Sequence, residues 1–132
     1  RQLTDIIGDV SFVPTEAAGH GIELAERAVR QGATTVFSLG GDGTHSEVVN
    51  GIMRAEADVG AITLGVLPAG TGGDLARILE PPRDPIEAAR YATTVESRPI
   101  DIGVADFVDA DGRPGPQRRP GRRDRPSSAQ PG

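Results

Sequence analysis

SLGGDGTHSEVVNG, residues Ser38–Gly51, decides how this chain is read. It begins at the end of an apolar run, passes through three glycines, an acid and a hydroxyl, and continues at once into a helical pattern. Upstream, Thr34–Leu39 (TTVFSL) is a buried-strand candidate. Downstream, Val48, Val49, Ile52 and Met53 fall on one face of a helix that opens at Thr44. A strand that turns through glycines into a helix presents unpaired N–H groups and a partial positive charge at its tip. That is an anion site that needs no lysine. Thr44 is placed to cap the helix or to give its hydroxyl to a phosphate. Asp42 is the odd member, because a carboxylate beside phosphate is repelled unless something lies between. It implies either a bridging Mg²⁺ or hydrogen bonds to backbone and ribose hydroxyls. One glycine-rich turn also reads simply as a tight turn with Asp42 as the helix cap.

A second turn shifts that balance. LGVLPAGTGGDLAR, residues 64–77, repeats the arrangement: a strand over 61–68, small residues over 69–73, and Asp74 opening a short helix to Leu79. Neither GxxxxGK[ST] nor GxGxxG occurs in the chain, so P-loop NTPases and ordinary dinucleotide folds do not fit.

The remaining elements follow the same alternation. Leu3, Ile6 and Ile7 have the spacing of a helix end. Val10–Thr15 (VSFVPT) predicts a short strand ending at Pro14. Residues 17–32 predict a helix that Gly32 stops. Asp84, Pro85 and Glu87 form an N-cap, a first-turn proline and a capping box. Arg98–Val108 reads as a strand and Asp109–Gly112 (DADG) as the turn after it. Strands alternating with helices predict a parallel α/β sheet, with ligands at the carboxyl ends of the strands.

Composition sets the bounds. The 132 residues suffice for one domain with a modest core, 36% hydrophobic but only 3% aromatic, and thus built from Val, Ile, Leu and Ala. There is no Cys, which excludes disulfides and thiolate metal sites and fits a reducing, cytoplasmic setting. No apolar run has the length of a membrane span and no signal-peptide pattern opens the chain, which starts at Arg1. All 14 basic residues are Arg. Residues 112–132 carry a net charge of +5 and residues 1–111 a net of −10. The acidic body has no broad basic face for nucleic acid. The tail holds five Pro, four Gly and a single aliphatic residue, Ala129, so it is expected to be disordered. A basic arm for anionic lipid or nucleic acid is the functional alternative for it.

GGDGTHSEVVNGI followed by LGVLPAGTGGDLAR resembles the catalytic domain of diacylglycerol kinases and the related bacterial lipid and sphingosine kinases. PTEAAGHGIELA is similar to the Thr-then-Gly-His element before that family's helix, and RPIDIG to the strand leading to its second domain. GGDG[TS] alone is shared with NAD kinases and phosphofructokinases; both turns in order, with LAR after the second, are more specific. The resemblance covers roughly residues 1–112. It implies a three-layer parallel-sheet fold of the NAD kinase and diacylglycerol kinase type, and transfer of the γ-phosphate of ATP, with Mg²⁺, to a lipid hydroxyl. On that pattern Gly40, Gly41, Asp42, Gly43, Thr44, His45, Ser46 and Glu47 wrap the nucleotide, with Thr15, Gly70, Thr71 and Gly72 contacting it. Glu47 also anchors the loop, and Asp74 orients the second turn or caps its helix. Arg77 is read as a solvated helix residue more readily than a phosphate ligand. His20 is read as part of the start of a helix.

Departures from the family are also visible. Gly73 and Ser46 stand where the family usually or often has Asn. The family's first strand would precede Arg1. Its β-rich second domain, which the resemblance credits with the general base, structural Mg²⁺ ligands and much of the lipid cleft, is expected to be missing, with the Arg/Pro/Gly tail in its place. Asp101 reads as a structural strand acid rather than that base. The expected organisation is an incomplete nucleotide-binding domain over 1–96, a strand segment over 97–111 and a tail over 112–132. Expected partners are a nucleotide and a lipid, with at most peripheral contact at the inner membrane surface. The alternatives are an NAD kinase-like enzyme and an inactive nucleotide-binding fragment.

Overall fold

The computed structural model describes residues 2–55, 58–69, 73–105 and 108–113. Its centre is a parallel pair of strands, β1 (Thr35–Gly40) and β2 (Thr63–Pro68), in the register Val36↔Leu64, Ser38↔Val66, Gly40↔Pro68. Alternation along each strand sorts the side chains onto two faces. Val36 and Leu64 look to one side, Phe37, Leu39 and Leu67 to the other. A parallel pair needs a crossover. Here the connection is helix α3 (Asp42–Arg54), separated from the end of β1 by the single residue Gly41. α3 packs with α2 (His20–Arg30) on the first face, where Ala25, Val29, Val48, Ile52 and Ala55 are buried. On the second face α1 (Gln2–Ile7) and α5 (Pro85–Ala92) close over the sheet through Leu3, Ile6, Ile7, Ala88 and Ala89. The parallel α/β sheet expected from the alternation, and the three-layer arrangement implied by the resemblance, are therefore present.

Local signals explain most boundaries. α2 ends as the glycine pattern predicts: Gly32 has φ +99°, its N–H donates to Val29, and Ala33 N–H donates to Ala28. That pairing satisfies the last carbonyls of the helix. At α5 the Asp84 carboxylate accepts from Ile86 N–H and Glu87 N–H, both at 3.0 Å. The second half of the predicted capping box is absent, because Glu87 turns to Arg90 instead. Gly51 sets how closely the first helical layer packs: a Cβ there would run into the Ile22 carbonyl and lie 2.7 Å from Ala25 Cβ. Asp109 Oδ1 accepts from Asp111 N–H and Arg113 N–H, forming the expected DADG turn.

Three expectations are corrected. Residues 10–15 form no strand, and residues 98–105 are irregular, with an isolated bridge at Val108. Both runs have strand-like composition, but a strand exists only against a ladder partner that satisfies its N–H and C=O groups. Among the described residues the only ladder is β1 with β2. Third, the apolar positions of α3 do not share one face. Val48 and Ile52 enter the core, whereas Val49 and Met53 turn towards an open cleft. The tail beyond 113 lies outside the described residues. Among those described, no helix is long and apolar enough to cross a membrane.

Candidate functional site

Both glycine-rich turns leave the same end of the sheet. Gly40 and Pro68 are in register, and Ala69 N–H donates to the Gly40 carbonyl at 3.0 Å. The first turn is tighter than the sequence suggests. α3 starts at Asp42 rather than Thr44, with Gly41 as its N-cap and no side chain capping it. The first intrahelical bond runs from His45 N–H to the Gly41 carbonyl at 3.0 Å. The N–H groups of Asp42, Gly43 and Thr44 thus precede the helical ladder and face outward at the strand tip. Glycine is required at position 40 for space: a Cβ there would sit 2.7 Å from Thr44 Oγ1 and 2.8 Å from Thr44 Cβ. Thr44 is folded back over the strand end.

The acid in this turn does not cap its own helix. Asp42 Oδ2 accepts from Asp74 N–H at 2.8 Å and Oδ1 from Leu75 N–H at 3.3 Å. These are the first amides of α4 (Asp74–Leu79), so one turn caps the helix of the other. Asp74 is consequently the first helical residue, not the N-cap. The N-cap is Gly73, whose φ of +151° favours glycine there. Hydrogen bonds from Asp74 and Leu75, with smaller help from the charges of His45 and Arg77, hold the Asp42 carboxyl below its usual value.

Glu47 acts the same way on the other side. Its Oε1 accepts from Gly19 N–H at 2.7 Å and its Oε2 from Gly21 N–H at 3.0 Å. The N-cap of α2, Gly19, has no side chain to offer, and Glu47 substitutes for it. α3 thus carries two carboxylates that stitch the N-termini of both neighbouring helices to the glycine turn. Its own N-terminus is left as the uncapped one.

His45 is buried at 2% exposure, and its Nδ1 lies 2.7 Å from the Oγ of Ser38, which is 1% exposed. Burial pushes the imidazole below its ordinary value, against the opposing pull of Asp42 and a weaker one from the Gly40 carbonyl. The sequence reading placed His45 against nucleotide and passed over Ser38. The inward alternation of β1 and the 45, 48, 52 spacing on α3 were the signals for this pair.

The other predicted residues separate. Ser46 borders a cleft of about 440 Å³ together with Asp42, Asn50 and Asp74, while Val49, Met53, Leu75, Ile102 and Val104 supply its apolar walls. Thr15 is exposed in the irregular segment before α2. Gly70, Thr71 and Gly72 lie outside the described residues. Arg77 pairs with Asp74 at 3.5 Å with both groups exposed, an interaction of little energetic weight. His20 belongs to the start of a helix, its Nδ1 accepting from Glu16 N–H at 3.0 Å. Asp101 is exposed. Among the described residues no three His, Asp or Glu side chains gather as a metal-binding group.

Comparison with known proteins completes the description. The family model for the diacylglycerol kinase catalytic domain matches residues 2–105. A "Diacylglycerol kinase" of Bacillus subtilis is 41% identical over 96 residues, which is 72% of this chain and 31% of that protein. A "Probable lipid kinase YegS-like" of Chromohalobacter salexigens is 38% identical over 90 residues, 68% of this chain and 29% of the relative. A Bacillus anthracis chain solved as a candidate diacylglycerol kinase superposes with a TM-score of 0.60 at 27% identity, covering 70% of this chain and 32% of that one. The chain therefore spans about three-tenths of the length of the proteins it matches.

Proposed function

The chain belongs to the diacylglycerol kinase catalytic-domain family, and from that premise we propose that it forms the nucleotide-binding part of an ATP-dependent lipid kinase. The observation that carries this reading is the cross-capping of the two turns through Asp42, which sets both at one end of the sheet. In the proposed arrangement the N–H groups of Asp42, Gly43 and Thr44 receive phosphate oxygens, and the positive end of α3 adds to their pull. Repulsion from Asp42 is reduced because both its oxygens already accept amide protons. Glu47 serves the nucleotide indirectly, by fixing α3 against α2. Mg²⁺ bound to the phosphates would offset their charge; no protein step is assigned to it.

The acceptor side of the reading rests on the cleft bordered by Asp42, His45, Ser46, Asn50 and Asp74 and walled by Val49, Met53, Leu75, Ile102 and Val104. A cleft that combines apolar walls with polar groups next to the phosphate turn suits a lipid hydroxyl better than a sugar. Phosphoryl transfer requires a proton acceptor at that hydroxyl and donors fixed around the moving group. The described residues provide donors, and no base is assigned among them.

Two measurements test the proposal. ATP at 100 times its dissociation constant should stabilise the folded chain by about 2.7 kcal/mol, read as a rise in unfolding midpoint. In a kinase that contains this nucleotide-binding part, labelled phosphate should pass from ATP to diacylglycerol and not to NAD. No thermal shift at millimolar ATP refutes the nucleotide site. Transfer to NAD in place of lipid refutes the acceptor class.

A further inference from the structure

Ser38 and His45 form a buried polar pair for which the fold alone gives no need. An imidazole and a hydroxyl enclosed at 2% and 1% exposure must satisfy each other or lose free energy. Two apolar side chains would fill the same space without that demand. The pair is therefore best understood through its position. Ser38 lies on β1 two residues before its end, and His45 is the fourth residue of α3. Their 2.7 Å hydrogen bond spans the whole phosphate turn, with Gly40, Gly41 and Gly43 inside the span.

These glycines permit the tight turn but restrain it weakly. The His45 amide ties the helix start to Gly41 at 3.0 Å, while the ring of the same residue ties it to the strand. A tilt of α3 about Gly41 has to break the ring contact. We infer that the Ser38–His45 hydrogen bond is a positioning device that fixes the angle of the first turn of α3, and with it the direction of the Asp42, Gly43 and Thr44 N–H groups. Both side chains act through the turn, although His45 also borders the cleft beside Asp42 and Ser46. The inference rests on the nucleotide reading given above. Preorganised donors bind phosphate better than donors that must be ordered on binding.

The test uses the full chain and measures displacement of a fluorescent ATP analogue by ATP and by adenosine. Ser38→Ala should weaken ATP about ten-fold, the equivalent of one hydrogen bond, and leave adenosine unchanged. Ser38→Ala combined with His45→Leu replaces both partners by apolar groups and should unfold close to wild type, while its ATP affinity stays about ten-fold down. Equal weakening of ATP and adenosine, or full recovery of ATP affinity in the double variant, overturns the inference. So does failure of both variants to fold, since the pair would then belong to the core rather than to the turn. A wild-type chain that binds no ATP removes the nucleotide reading as well, so the two failures are distinguishable.

Discussion

Removing the Glu47 carboxylate should loosen α2 from α3, and Gly21 offers an internal control. Glu47→Ala deletes acceptors at 2.7 and 3.0 Å from the first amides of α2. A hydrogen bond to a charged group contributes about 1.5–3 kcal/mol, but these amides are only part-buried and water can replace the lost partner. Loss of an ordinary helix cap costs about 0.5–2 kcal/mol. The expected destabilisation is about 2 kcal/mol, a fall in midpoint of roughly 8–16 °C for a domain near 100 residues. Gly21→Ala attacks the same contact from the other side. Its Cβ would stand 2.6 Å from Glu47 Oε2 and 3.1 Å from Glu47 Cβ, so the carboxylate has to leave. That should cost about 1–2 kcal/mol in the wild-type background. With Glu47→Ala already present the carboxylate obstacle is gone, and alanine is favoured over glycine in a helix by up to about 1 kcal/mol. Gly21→Ala should then be within about 0.5 kcal/mol of neutral, giving a coupling of about 0.5–2.5 kcal/mol. Urea unfolding of the four proteins measures it. Additive effects, or a Glu47→Ala variant as stable as wild type, would refute the argument that this carboxylate caps α2.

Further outcomes follow from the same contacts. Gly51→Ala places a Cβ against the Ile22 carbonyl and 3.0 Å from Glu26 N, both backbone, so α2 and α3 must separate. A loss of about 2–3 kcal/mol is expected in denaturant melts, and an unchanged midpoint contradicts that packing. The Asp42 carboxyl is held below its usual value by the Asp74 and Leu75 amides, so its contribution is complete above the ordinary carboxylate range and disappears as pH falls through the lowered value. The amide proton shifts of Asp74 and Leu75 should titrate together with a midpoint below about 3.9, and a midpoint at or above that figure argues against the cross-cap. Burial lowers the His45 imidazole, so in the window between its lowered value and about 6.5 the unfolded chain binds more protons than the folded one. Stability should therefore decline as pH drops through that window. His45→Leu with Ser38→Ala should remove this slope; an unchanged slope shows that another group is responsible.

How much of this was legible beforehand depends on the range of the interaction. Gly32 as the stop of α2 and Asp84 as the cap of α5 are decided by neighbours within a few residues, and the two strands of the sheet were readable because each found the other as its ladder partner. The runs at 10–15 and 98–108 had strand composition without a ladder partner, which composition cannot supply. The stripe on α3 was read as one face because helical spacing does not say which edge meets a core and which meets a cleft.

From the chain of residues alone came two lysine-free glycine turns, each between a strand and a helix. Those follow from backbone chemistry that is local, namely which residues permit a tight turn and leave N–H groups open. Where Asp42, Glu47 and His45 spend their side chains was settled only by the tertiary structure. Their partners, Asp74 and Leu75, Gly19 and Gly21, and Ser38, lie 32 and 33, 28 and 26, and 7 residues away. Side chains so placed meet only after β1, β2 and the helices have packed, because no local rule encodes which distant amide an acid will reach.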